Sequence, residues 1–167
     1  MRLFEGYRRD EGGVGVRNLV VVLSTVFCGS TVARKIAAAT GAVLVAHQGG
    51  CVELGPEAEH TDRILRGVVA HPNVGGVLVV GLGCEQVQGL SLGTAANNKP
   101  FQYLEIQDVG GPSAAIEAGI GIASELLRQV KKVEREPVPV SELKLATQCG
   151  SSDTGSGLAS NPAVGVV

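Results

Sequence analysis

Short apolar runs alternate along this chain with stretches of helical spacing. Residues 18–26 form a run rich in Val and Leu, the pattern of a strand covered on both faces. Ser30–Thr40 follows, with Val32, Ala33, Ile36 and Ala37 on one helical face and Gly41 as its stop. Residues 42–46 read as a second strand. Pro56–Ala70 reads as a helix that starts on a proline, turns Ile64, Leu65, Val68 and Val69 inward, and is closed by Pro72. Residues 76–82 and 101–106 give a third and a fourth strand. Residues 112–133 give the longest helix, with Ile116, Ile120, Ala123, Leu127 and Val130 repeating on one face. A charged, proline-bearing connection over 134–140 leads to a fifth short strand at 143–147. Strands alternating with helices predict an α/β fold: a Rossmann-like, doubly wound, mainly parallel sheet of about five strands, with helices on both faces. No second domain is visible, so residues 1–167 read as a single domain.

Composition narrows the picture. With 167 residues, 44% of them apolar, the chain can bury a real core, and with only 3% aromatics that core must be aliphatic. The net charge is -2 and no basic stripe appears, so nucleic acid is not an expected partner. The apolar runs are too short to span a bilayer, and the N-terminus lacks an apolar signal core. A cytoplasmic location is therefore expected. The chain stops on an apolar stretch after a Gly/Ser-rich turn, which reads as a chain cut before more protein.

The unusual residues collect behind strands. Cys28 follows the first; His47 and Cys51 the second; Cys84 and Glu85 the third; Gln107 and Asp108 the fourth; Cys149, Ser152 and Asp153 the fifth. In open parallel sheets, ligands bind outside the carboxyl ends of the strands. Each cysteine alone reads equally well as a small buried apolar residue. Together, the four thiols and His47 suit iron or zinc, as a single ion or a cluster. No CxxC pair supports a redox dithiol, and Gly81-Leu82-Gly83 lacks the third glycine of a dinucleotide loop. His60 and His71 fall on or at the end of the second helix and read as solvated.

Five motifs in order resemble the altronate/galactarate dehydratase family, including the sulfolactate sulfo-lyase large subunit. They are Gly6-Tyr7-Arg8-Arg9 with Gly15-Val16-Arg17-Asn18; His47-Gln48-Gly49-Gly50-Cys51; Gly81-Leu82-Gly83-Cys84-Glu85; Gln107-Asp108-Val109-Gly110-Gly111; and Cys149-Gly150-Ser151-Ser152-Asp153 with Asn161-Pro162-Ala163-Val164-Gly165. The chain departs from the family pattern at Gly13, where an arginine is usual, and at Ser151 and Gly155.

The resemblance implies the central domain of a longer chain. Its activity would be loss of water from a sugar acid of the altronate or galactarate type, by removal of the α-proton and departure of the β-hydroxyl. A divalent metal, iron as Fe2+ first among them, would assist. It implies Cys28, Cys51, Cys84 and Cys149 as metal thiolates; His47, Glu85 and Asp153 as catalytic groups; and Arg17, Gln107 and Ser152 as substrate contacts. The implied partners are the hydroxy acid, a missing C-terminal segment and a small N-terminal domain or subunit. The fragment alone is expected to be inactive, and a homo-oligomer is left open. The alternatives are sulfolactate sulfo-lyase-type elimination and a non-catalytic hydroxy-acid-binding or scaffold domain.

Overall fold

A computed structural model describes residues 2–10, 13–146, 148, 150 and 152–166. The elements run β1 (Leu3–Arg8), β2 (Val14–Gly15), β3 (Leu19–Ser24), α1 (Ser30–Thr40), β4 (Val43–Val45), α2 (Pro56–Ala70), β5 (Val74–Gly81), β6 (Phe101–Glu105), α3 (Pro112–Val130), β7 (Glu136–Pro139) and α4 (Asn161–Val166). Four strands form a parallel sheet in the order β4-β3-β5-β6.

The unbroken apolar runs follow from burial on two sides. All eight residues of β5 are buried. Alternate side chains feed two separate cores. Val20, Val22, Leu78, Val80 and Leu104 pack with Ile36 of α1 and Ala123, Leu126 and Val130 of α3. Val21, Leu23, Val77 and Val79 pack with Leu65 and Val69 of α2 and with Leu92. Leu92 belongs to a 3-10 segment, Gly89–Ala95, that the hydrophobic pattern did not reveal. Leu78 is fully buried at the centre of the first core. Leu78→Ala is expected to cost about 2–5 kcal/mol, the range for a large-to-small change that leaves a cavity. A urea midpoint that does not move would contradict this packing.

Two sequence expectations are corrected. Residues 143–146 form no strand, and Leu145 is 83% exposed; Thr147 lies outside the described residues. The parallel sheet therefore has four strands. The reason lies in where the chain goes after α3. Residues Glu136–Pro139 pair antiparallel with β1, with Phe4 opposite Val138, and Val140 N–H continues the pairing to the Arg2 carbonyl. With β2 this makes a second, three-stranded sheet in the order β2-β1-β7. Prolines 137 and 139 are tolerated because β7 lies at its edge. Ion pairs from Arg8 to Glu136 (2.6 Å) and Glu142 (3.0 Å) join the strands. The second correction is smaller: α3 ends at Val130 rather than at residue 133.

The small sheet docks at the amino end of the parallel strands. Asn73, just before β5, accepts the Val16 and Arg17 backbone N–H groups on its side-chain oxygen. No helix among the described residues is long and apolar enough to cross a membrane.

Candidate functional site

At the carboxyl end of the parallel sheet, the loops after β3, β4, β5 and β6 are tied to one another. Phe27 N–H donates to the Gly49 carbonyl at 2.9 Å, and Gln86 N–H to the Gly50 carbonyl at 3.4 Å. Thr25 hydroxyl donates to Glu85 Oε1 at 2.8 Å. Ile106 N–H reaches the Gly81 carbonyl at 3.0 Å, and Gln107 N–H the Leu82 carbonyl at 3.4 Å. Cys28, Cys51 and Cys84 sit in three of these linked loops, and all three thiols are exposed. The coincidence of strand ends in the sequence thus becomes one connected surface.

Two expected catalytic groups are engaged in holding that surface together. His47 Nε2 lies 3.2 Å from the Thr25 carbonyl, and its Nδ1 accepts Gly49 N–H at 3.2 Å. This network fits a neutral ring protonated on Nε2. Glu85 is 8% exposed and receives Gly83 N–H at 2.7 Å and Leu82 N–H at 3.1 Å, besides the Thr25 hydroxyl. Burial alone would raise its carboxyl, but the N–H groups of Gly83, Glu85 itself and Leu82, with the Thr25 hydroxyl, hold it below the usual range. Glu85 is therefore a charged anchor of its loop.

The remaining expected residues divide. Gln107 joins the site: a Cβ on Gly83 would lie 2.7 Å from its Oε1, so the absent side chain leaves room for it. Arg17 does not join. It precedes β3 at the amino end of the sheet, a full strand length from the thiols, because parallel strands place all their starts at one edge. Asp153 is exposed, and its Oδ1 accepts Ser156 N–H at 2.7 Å, capping the turn that leads into α4. Ser152 is exposed beside it. Cys149 lies outside the described residues.

Sequence reasoning passed over Thr25, Glu53, Tyr103 and Glu105. Glu53 Oε1 accepts Gly50 N–H at 2.8 Å, and that bond is the main reason its carboxyl is held low. Tyr103 donates its hydroxyl to Glu105 Oε2 at 2.8 Å. Burial, then this bond and the neighbouring carboxylates Glu85, Glu105 and Asp108, push the Tyr103 phenol up. Alternation along β6 was the available signal, since it puts Tyr103 and Glu105 on one face at the carboxyl edge. Among the described residues, no three of His, Cys, Asp and Glu come close enough to hold a metal ion. The described part of the site alone does not fit the expected iron.

Residues 6–131 match the sequence model of the family described as "D-galactarate dehydratase/Altronate hydrolase, second domain". The chain belongs to this family. Residues 140–167 match "D-galactarate/Altronate dehydratase, C-terminal". Among curated proteins, the chain is similar to the altronate dehydratase of Bacillus subtilis (strain 168), at 38% identity over 98% of this chain and 35% of that protein. It is 35% identical to the (2R)-sulfolactate sulfo-lyase subunit beta of Chromohalobacter salexigens, over 98% of this chain and 42% of that subunit. It is 34% identical to the galactarate dehydratase (L-threo-forming) of Escherichia coli (strain K12), over 97% of this chain and 35% of that enzyme. The chain thus spans less than half the length of these relatives.

Proposed function

We propose that this chain supplies part of the active site of a lyase that dehydrates a sugar acid of the altronate or galactarate type. The observation that carries the reading is the connected carboxyl edge, where four glycine-bearing loops gather three exposed thiols, His47, Glu105 and Gln107. The reaction removes the proton beside the carboxylate, expels the β-hydroxyl as water, and leaves an enol that tautomerises to a keto acid. A base must take the first proton, and an acid must protonate the leaving oxygen.

This chain offers distinct groups for these tasks. Glu105 Oε1 makes no hydrogen bond among the described residues, while Oε2 is held by Tyr103. It is the carboxylate freer to accept a proton. Glu85 keeps the β5 loop in place, and Gln107 would donate its amide to a substrate oxygen. His47 acts as a base only by giving up its Nδ1 bond from Gly49, and as an acid only by giving up its Nε2 bond to the Thr25 carbonyl. The iron expected from the resemblance would need donors from outside the described residues, and Cys149 is one candidate.

The test is an assay of this chain, alone and mixed with the C-terminal domain of an altronate dehydratase relative. It is run under reducing conditions, with and without a chelator, on altronate, galactarate and (2R)-sulfolactate. We expect no turnover by the chain alone, keto-acid release when the domain is supplied, and loss of that release with chelator. Sulfite release only from sulfolactate would move the assignment to the sulfo-lyase branch, whose curated relative is nearly as similar. Binding of all three acids without turnover in any mixture would replace the enzyme by a binding module.

A further inference from the structure

A polar cavity lies at the amino edge, away from the thiol-bearing loops. It encloses about 180 Å³ and is lined by Arg9, Asp10, Asn97, Asn98 and Lys99, among others. Arg9 comes from the turn between β1 and β2, and Lys99 from the turn before β6. Both reach the carbonyls that end α2 and lead into β5. Arg9 Nε donates to the Pro72 carbonyl at 2.8 Å, and Lys99 Nζ to those of Val69 at 2.8 Å and His71 at 3.1 Å. Arg9 also donates to Asn18 Oδ1 at 2.8 Å.

Carbonyl groups at a helix end carry only a partial negative charge, so they orient these cations without neutralising them. No carboxylate pairs with either cation among the described residues; the ion pairs there involve Arg8, Arg66 and Arg128. Asp10 lies on the wall, but its Oδ2 accepts the Asn98 amide at 3.1 Å. Two half-buried cations without a carboxylate partner therefore line one cavity, with Asp10 on its wall and Arg8, already paired to Glu136 and Glu142, beside them. Burial first, and Arg9 second, bring the Lys99 ammonium down to about 8, as expected of a charge that lacks its counter-ion. Asn97 and Asn98 complete the wall. They hold φ of 52° and 63° in a turn closed by Lys99 N–H to the Ala96 carbonyl at 3.0 Å. Asn and Asp tolerate that left-handed backbone better than other side chains.

We propose that this cavity binds a small oxyanion, a carboxylate or phosphate group, between Arg9 and Lys99. The site stands apart from the lyase reading, because β5, Val74–Gly81, separates the two edges by about 25 Å at the usual rise of a strand.

The test uses the full 167-residue chain, 15N-labelled, in low-salt buffer free of other oxyanions. It is titrated separately with inorganic phosphate and with malonate. We expect at least one to bind saturably, with the largest shifts at the Asn97, Asn98 and Lys99 amides. Phosphate-only or malonate-only binding names the group the site takes. Lys99→Gln should weaken binding at least tenfold. Asn97→Asp should do the same by placing a negative charge on the wall while keeping a side chain suited to positive φ, and it reads the site even where the Lys99 variant fails to fold. Cys84→Ser, at the other edge, should bind as the parent does. No saturable binding by either ion, shifts confined to the carboxyl-edge loops, or unchanged affinity in Asn97→Asp would overturn the proposal.

Discussion

Glu85→Ala is expected to destabilise this protein by about 3–5 kcal/mol, because three donors converge on the carboxylate and each one left unsatisfied costs roughly 1–3 kcal/mol. The carboxylate is 8% exposed and takes hydrogen bonds from the Thr25 hydroxyl and from the Leu82 and Gly83 N–H groups. Alanine would leave these buried donors without an acceptor. Glu85→Gln should cost less, about 1–3 kcal/mol, because one amide oxygen remains while the NH2 end faces donors. The charge also predicts a pH dependence. The folded carboxyl is held below its ordinary value, so its stabilisation is present in full above the unfolded carboxylate range. It is lost as the pH falls through the folded value. Urea midpoints of wild type and Glu85→Gln should therefore converge on acidification. Equal midpoints at neutral pH, or a gap that widens in acid, would show that Glu85 does not anchor the loop.

Gly50→Ala should be almost as damaging and should act on a different link. Gly50 is buried with φ of 92°, and a Cβ there would collide with the Thr25 carbonyl oxygen and lie 2.8 Å from Val26 Cα. Left-handed backbone costs a side chain roughly 1–2 kcal/mol, and overpacking adds about 1–3 kcal/mol. The β4 loop would have to lift from the end of β3. That would break the bonds from Phe27 N–H to Gly49 and from Gln86 N–H to Gly50, and would separate the loops bearing Cys28, Cys51 and Cys84. Amide exchange at Phe27 and Gln86 should accelerate in the variant while exchange at Leu78, in the middle of β5, changes less. Exchange at Phe27 and Gln86 matching wild type, with an unchanged midpoint, would mean that the two loops do not depend on this close approach.

The alternating apolar runs and helical stripes were enough to place β3, β4, β5, β6, α1, α2 and α3. Buried parallel strands must be apolar on both faces, and amphipathic helices must cover them, so burial writes these elements directly into residue order. The placement of Cys28, Cys51, Cys84, His47, Glu85 and Gln107 at one edge was legible for a related reason: in a parallel sheet every strand ends on the same side. The family was legible in the five motifs. Tertiary structure decided what depends on partners distant in sequence. β1 and β7 carry charged residues, β7 also has two prolines, and they become a sheet only because residues more than 120 positions apart meet, as Phe4 and Val138 do. That pairing takes the chain away from the parallel sheet, and the expected fifth strand is absent from the described residues at 143–146. Arg17 looked like a substrate contact because its guanidinium fork matches a carboxylate, yet it precedes β3 and so lies at the opposite edge from the thiols. Glu85 looked like an acid or base, but three donors from residues 25, 82 and 83 converge on it and fix it as an anchor. Residue type sets which chemistry a side chain can do; the groups that fold against it decide which part of that chemistry stays free.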